Sequence, residues 1–165
     1  MKIVFVCTGN TCRSPLAEAM LRKYLPGWDI SSAGVCAPRD FEPSLNARCA
    51  GLELGVDISG HRSRPLAPDI ISGALVLCMT LAQVARAGSM GAKIICPDEL
   101  RGRSHRRLGL RAARHQKLTG RRAYPNLIDS TALLSEFAGM AGEIDDPCGQ
   151  GYEAYRDAAA RLDAM

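Results

Sequence analysis

The chain alternates between short apolar runs and amphipathic stretches. "KIVFVC" (2–7) is compact, apolar and rich in β-branched residues, and it predicts a central parallel strand buried on both faces. "SPLAEAMLRKYL" (14–25) then switches to helical spacing. Pro15 sits in its first turn, and Leu16, Met20, Leu21 and Tyr24 or Leu25 form one stripe. Pro26-Gly27 stops it. "WDISSAG" (28–34) predicts a second strand, "PSLNARCAGLELG" (43–55) a helix closed by Gly55, and "VDISGHRSRPL" a loop. "PDIISG" (68–73) predicts a short helix leading into a third buried strand, "ALVLCM" (74–79). "STALLSEF" (130–137) predicts a fourth strand and "GYEAYRDAAARL" (151–162) a closing helix. From Leu81 to Tyr124 the pattern blurs into a helix at "LAQVARAG", an apolar patch "AKIIC" (92–96), and a segment with cations on most helical faces.

Strands that alternate with helices, with a glycine-containing turn after the first, predict an α/β fold. The expected form is a doubly wound, mostly four-stranded parallel sheet with helices on both faces. Residues 1–165 form one expected domain, with a basic insert at about 81–122. Ligands in such sheets bind beyond the carboxyl ends of the strands. Cys7 sits at one.

Composition narrows the classes. An apolar fraction of 47% with 23% charged residues is that of a globular chain. No apolar run approaches the roughly 20 residues that span a bilayer, so no membrane partner is expected. The N-terminal apolar stretch is too short for a secretory leader, and a cytoplasmic location is expected. The seven cysteines are odd in number and lack zinc-site spacing, so most are expected to be free thiols, with no metal and no cofactor. The net charge of +4 hides an asymmetry. Residues 101–122 hold nine Lys or Arg and no acid, and removing those nine leaves 12 bases against 17 acids, a net of −5. That segment reads as a solvated helix or a disordered insert, with an arm for nucleic acid or acidic protein as the alternative.

"CTGNTCRS" (7–14) carries the chemistry. A strand that passes through small residues into a helix start aims loop N–H groups and the helix dipole at an anion. Gly9 is expected to allow the unusual backbone angles of the turn. The loop is neither a Walker A nor a dinucleotide loop. It starts with a thiol and ends with a guanidinium. At a helix N-terminus Cys7 is expected to ionise readily, Arg13 offers a fork of donors that matches two phosphoryl oxygens, and Ser14 can donate to the thiolate. Thr8, Gly9, Asn10, Thr11 and Cys12 supply the phosphate-binding loop between them. Phosphoryl transfer to sulfur follows. Alone, Cys7 would read as a buried strand-end thiol.

"VFVCTGNTCRSPLAEAML" resembles the signature of the low-molecular-weight protein tyrosine phosphatases. "SAG" (32–34), "GHRSRPL" (60–66), "LVLCMT" (75–80), "LLSEFAG" (133–139) and "EIDDPCG" (143–149) agree with that family in order. The resemblance implies a cysteinyl-phosphate intermediate and a general acid before a proline, Asp146, with Asp145 as the competing residue. It also implies that Asn10, Ser32 and His61 support the loop. Cys12 either pairs with Cys7 on oxidation or packs beneath the loop. "CTGNTCRSP" is similar to the bacterial protein-arginine phosphatases of the superfamily, in which the threonine here numbered Thr11 favours phosphoarginine. Phosphotyrosine is the alternative. Cys148 stands where the family has an aromatic wall, for which Tyr152 or Tyr155 are the possible replacements. The implied partners are phosphorylated proteins, and a monomer is expected. An arsenate reductase shares the loop but needs two relay cysteines, and Cys78 and Cys96 are far apart for that.

Overall fold

β1 (Lys2–Cys7) lies between two parallel neighbours, β2 (Asp29–Gly34) and β3 (Ala74–Cys78). The computed structural model describes residues 1–95 and 127–165. Successive side chains of a strand point to opposite faces. Ile3, Phe5 and Cys7 therefore join one core, and Val4 and Val6 the other. Burial on both sides explains the unbroken apolar run. Phe5 is 1% exposed, and its truncation to alanine would cost about 3–5 kcal/mol through the cavity left behind.

β5 (Ser130–Leu133) pairs with β3, and the two-residue β4 (Lys93–Ile94) pairs with β5 at the edge. The order is β2-β1-β3-β5-β4, all parallel. The four expected strand positions are filled, and the patch at 92–96 supplies a fifth strand. One expected strand is shorter than its sequence suggests. "STALLSEF" is strand only to Leu133 and turns into α5 (Leu134–Phe137). Cys78, the last residue of β3, stands opposite Leu133, so beyond it no ladder partner remains. The alternation of apolar side chains continues into Leu134, which hides the change of backbone.

α1 (Arg13–Tyr24), α2 (Leu45–Glu53) and α6 (Tyr152–Asp163) cover the face that contains Phe5. On α6, Tyr155, Ala158, Ala159 and Leu162 are the buried positions, at helical spacing. α3 (Pro68–Ile71) and α4 (Leu81–Ser89) cover the opposite face through Ile71, Val84 and Ala87. Ser44 caps α2 by accepting from the Ala47 amide at 3.3 Å, and Gly55, at φ +69°, closes the turn after it. Residues 81–89 and 93–94 thus form a helix and an edge strand of the sheet. The charged segment 101–122 lies outside the described residues. Among the described residues, no helix is long and apolar enough to cross a membrane.

Candidate active site

The chain leaves β1 at Cys7, crosses five residues and enters α1 at Arg13. Backbone bonds hold this loop to its surroundings: Val35 N donates to Cys7 O, Cys36 N to Thr8 O and Ser44 N to Thr11 O, each at 3.0 Å. Gly34 ends β2 against the loop. A Cβ there would sit 2.5 Å from Thr8 O and 2.9 Å from Asn10 N, so only glycine fits.

Gly9 is not the residue that carries the unusual backbone. Asn10 does, at φ +54°, whereas a Cβ on Gly9 would meet only Thr11 Oγ1 at an ordinary 3.5 Å. Asparagine tolerates this region because its short amide can bond locally. Here every part of Asn10 is engaged. Its Nδ2 donates to Ser14 Oγ and to Ser32 Oγ, both at 2.9 Å. Its Oδ1 accepts from Arg64 N at 2.9 Å, and its carbonyl accepts from His61 Nε2 at 3.0 Å. Because a carbonyl only accepts, His61 carries its hydrogen on Nε2. Ser32 passes its own hydrogen to Glu18 Oε2 at 2.6 Å, and Glu18 pairs with Arg22. Burial pushes the His61 imidazole below its ordinary value, against the opposing pull of Glu18 and of the Asn10 carbonyl.

The thiol lies at the centre of this frame. Cys7 Sγ is 3.0 Å from Ser14 Oγ and accepts from Asn10 N at 3.2 Å. The Asn10 N–H is aimed at the sulfur, while the Ser14 hydroxyl also lies within reach of Ala33 O at 3.4 Å. Arg13, at the first turn of α1, is 1% exposed. Its Nη1 donates to Ile144 O at 2.9 Å, and its Nη2 donates to Thr8 Oγ1 at 3.2 Å and to Asp146 Oδ2. Its buried Nε has no partner among the described residues. A buried donor of this kind, on the residue that closes the loop begun by Cys7, can serve an oxyanion. Nor does a side chain cap α1, whose first turn holds no acid. The start of the helix is therefore open to an anion.

Asp146, not Asp145, reaches Arg13. Its other oxygen, Oδ1, accepts from Cys148 N at 3.2 Å, and Gln150 Nε2 bonds its carbonyl at 2.8 Å, which shapes the loop before α6. The carboxylate is 42% exposed, so it faces both the guanidinium and solvent. Cys148 is exposed. Tyr155 lies close enough to Cys12, Cys148 and Asp146 to feel their charge. Tyr152 gives its hydroxyl to Glu53 at 2.7 Å, and Tyr155 is buried.

Two more buried thiols lie near enough to Cys7 to feel it. Cys12 is buried at the start of α1, and burial together with the nearby Cys7 pushes it up to about 12. Cys78 is also pushed up to about 12, chiefly by burial. It lies on the Val4 and Val6 face of the sheet, whereas Cys7 belongs to the opposite core. Thr11 is partly exposed at the rim. Sequence reasoning did not single out Glu18, Arg64 or Gln83 as site residues. Gln83, 4% exposed on α4, donates to Thr8 Oγ1 at 3.3 Å. The only sequence signal for it was the Thr-x-x-Gln of a helix start.

A thiol, a guanidinium and a carboxylate around an open helix start, at the carboxyl ends of a parallel sheet, define a cysteine-based phosphoryl-transfer site. The comparisons agree with that class. The model of the low molecular weight phosphotyrosine protein phosphatase family matches residues 2–96. A protein-arginine-phosphatase of Geobacillus stearothermophilus is 34% identical over 167 residues, covering 99% of this chain and 90% of that protein. A solved structure of the YwlE arginine phosphatase, a C7S mutant with a phosphorylated active-site serine, superposes with a TM-score of 0.71 at 27% identity, covering 99% of this chain and 90% of its own. A low molecular weight protein tyrosine phosphatase from T. tengcongensis gives 0.71 at 32% identity, covering 99% and 93%. The chain belongs to the low molecular weight phosphotyrosine protein phosphatase family, a family of cysteine-based phosphatases.

Proposed function

We propose that this chain removes phosphoryl groups from proteins, with phosphoarginine as the preferred residue. The observation that carries the phosphatase reading is the loop from Cys7 to Arg13: Asn10 N and Ser14 Oγ lie on the sulfur, and Arg13 at its end keeps a spare buried donor. The phosphoryl group settles on the loop amides and Arg13. Cys7 sulfur attacks phosphorus while the bond to the leaving atom breaks. Asp146, entering as the acid, gives that atom its proton. The resulting Asp146 carboxylate takes a proton from a water that attacks the cysteinyl phosphate, and the thiolate leaves. Thr8, Gly9, Thr11 and Cys12 complete the loop, and Ser32 and His61 support it through Asn10.

One feature favours phosphoarginine over phosphotyrosine. Thr11 places a hydroxyl at the rim, where a guanidinium finds a polar partner and a phenyl ring would prefer an apolar one. Cys148 bears on both substrates alike, because a small residue there removes a stacking wall for a phenyl ring and for a guanidinium plane. The likeness to a protein-arginine-phosphatase over almost the whole chain points the same way as Thr11. Arsenate reduction is disfavoured because Cys78 lies across the sheet from Cys7.

The test compares phosphoarginine and phosphotyrosine peptides as substrates before and after Thr11→Ile. The parent is expected to prefer phosphoarginine, and the variant to shift toward phosphotyrosine. An unchanged ratio removes the role given to Thr11. Turnover that survives Cys7→Ser removes the mechanism.

A further inference from the structure

We infer that Gln83 is a positioning residue for phosphoryl binding: it fixes the Thr8 hydroxyl, which in turn fixes the Arg13 guanidinium. The inference rests on the role proposed above for Arg13. Gln83 is the third residue of α4 and completes a capping box with Thr80. Its Oε1 accepts from Met79 N at 3.0 Å and from Thr80 N at 3.3 Å. Those two donors settle the orientation of the amide, so Nε2 faces Thr8. A capping box needs only the oxygen end, and glutamate serves there as well as glutamine. Near a helix N-terminus glutamate would also gain from the dipole. The part of Gln83 that capping does not explain is its N–H donor. That donor reaches the phosphate loop.

Thr8 itself is solvent-exposed, so little packing orients its side chain. Its oxygen accepts from Gln83 Nε2 at 3.3 Å and from Arg13 Nη2 at 3.2 Å. A hydroxyl has two lone pairs and one hydrogen. With both lone pairs occupied, the hydroxyl is held in one orientation and Nη2 has a fixed acceptor within the loop. The same Nη2 donates to the half-exposed Asp146 carboxylate. Without the Thr8 hydroxyl, the half-exposed Asp146 carboxylate would be the remaining acceptor of Nη2. The chain Gln83–Thr8–Arg13 thus ties the guanidinium to α4 and the end of β3, and keeps its fork over the loop when Asp146 departs to act on substrate.

The experiment is a double-mutant cycle with Gln83→Glu and Thr8→Val, read by inorganic phosphate binding and by kcat/KM on an aryl phosphate. Gln83→Glu keeps the cap and loses the donor. It is expected to weaken phosphate about tenfold, the loss of one hydrogen bond to the Arg13 network. In the Thr8→Val background it is expected to add nothing, whereas a general packing or charge effect would persist there. Gln83→Glu that binds phosphate as the parent does, or that weakens it equally in both backgrounds, overturns the inference. Should Gln83→Glu not fold, Thr8→Ser and Thr8→Val decide. Serine is expected to retain binding and valine to lose it, and equal behaviour overturns the inference. An active parent with a neutral Gln83→Glu refutes this inference alone. A parent that neither binds phosphate nor hydrolyses the aryl phosphate refutes the proposed function with it.

Discussion

Arg13 and Asp146, separated by 133 residues, are paired side to side at the mouth of the phosphate loop. Arg13 is almost wholly buried and Asp146 is half open to solvent, so the acid is the partner that substrate can reach from outside. A phosphoryl group that arrives on Arg13 competes with the carboxylate for the same nitrogen.

That competition gives Asp146→Asn two opposite effects. Loss of the general acid and base role proposed for Asp146 should lower kcat about a hundred- to ten-thousand-fold. Loss of the rival negative charge should leave inorganic phosphate bound at least as tightly as in the parent. Inhibition kinetics and calorimetry measure both. Phosphate binding that weakens along with kcat would mean that Asp146 holds Arg13 in place.

Asn10 combines a left-handed backbone with four side-chain and carbonyl partners. Asn10→Ala should destabilise the chain by about 2–4 kcal/mol through strain and stranded polar groups. For a domain of this size that is a drop of about 4–16 °C in Tm. Asn10→Gly keeps the backbone and should lose less. Equal melting of the two variants would show that strain plays no part.

Burial holds His61 below its ordinary 6.5, with Glu18 and the Asn10 carbonyl opposing and Arg64 and Arg22 assisting. The folded state thus resists protonation more than the unfolded one. Its stability from this residue is full above the ordinary value and is lost as pH falls through it toward the depressed one. Thermal melts between about pH 7.5 and about pH 5 should show a steeper loss in the parent than in His61→Gln. Parallel curves would refute this.

Thiol accessibility is a fourth test. Cys12 and Cys78 are buried and pushed up to about 12, so iodoacetamide should not modify them in the folded protein at about pH 8. Cys36, Cys49 and Cys148 are exposed and should react. Peptide mapping distinguishes them, and alkylated Cys12 in folded protein would show that the loop opens.

Most of the layout was legible in the residues. The apolar runs at 2–7 and 74–79 became central strands because burial on both faces forbids polar letters there. Arg13 and Asp146 are paired, and Cys7 begins the loop that Arg13 closes. What was misread depends on neighbours in space. Leu134 continues a strand-like alternation, and only the end of β3 opposite Leu133 dictates the turn into α5. Gly9 attracted the conformational argument because glycine is permissive, yet the left-handed residue is Asn10, supported by Ser32, His61 and Arg64 from distant segments. Gln83 was invisible for the same reason. A helix-start motif shows where α4 begins, but not what the free end of its amide touches.

The close fit of Gly34 beneath Thr8 and Asn10 bears on how variation in this chain should be interpreted. A survey of every single substitution, scored by activity, would rank position 34 beside the nucleophile although it has no functional group to offer. Any side chain there displaces the floor on which the loop rests. Inactive variants at that site would be defects of shape, and no choice of substrate or pH would revive them.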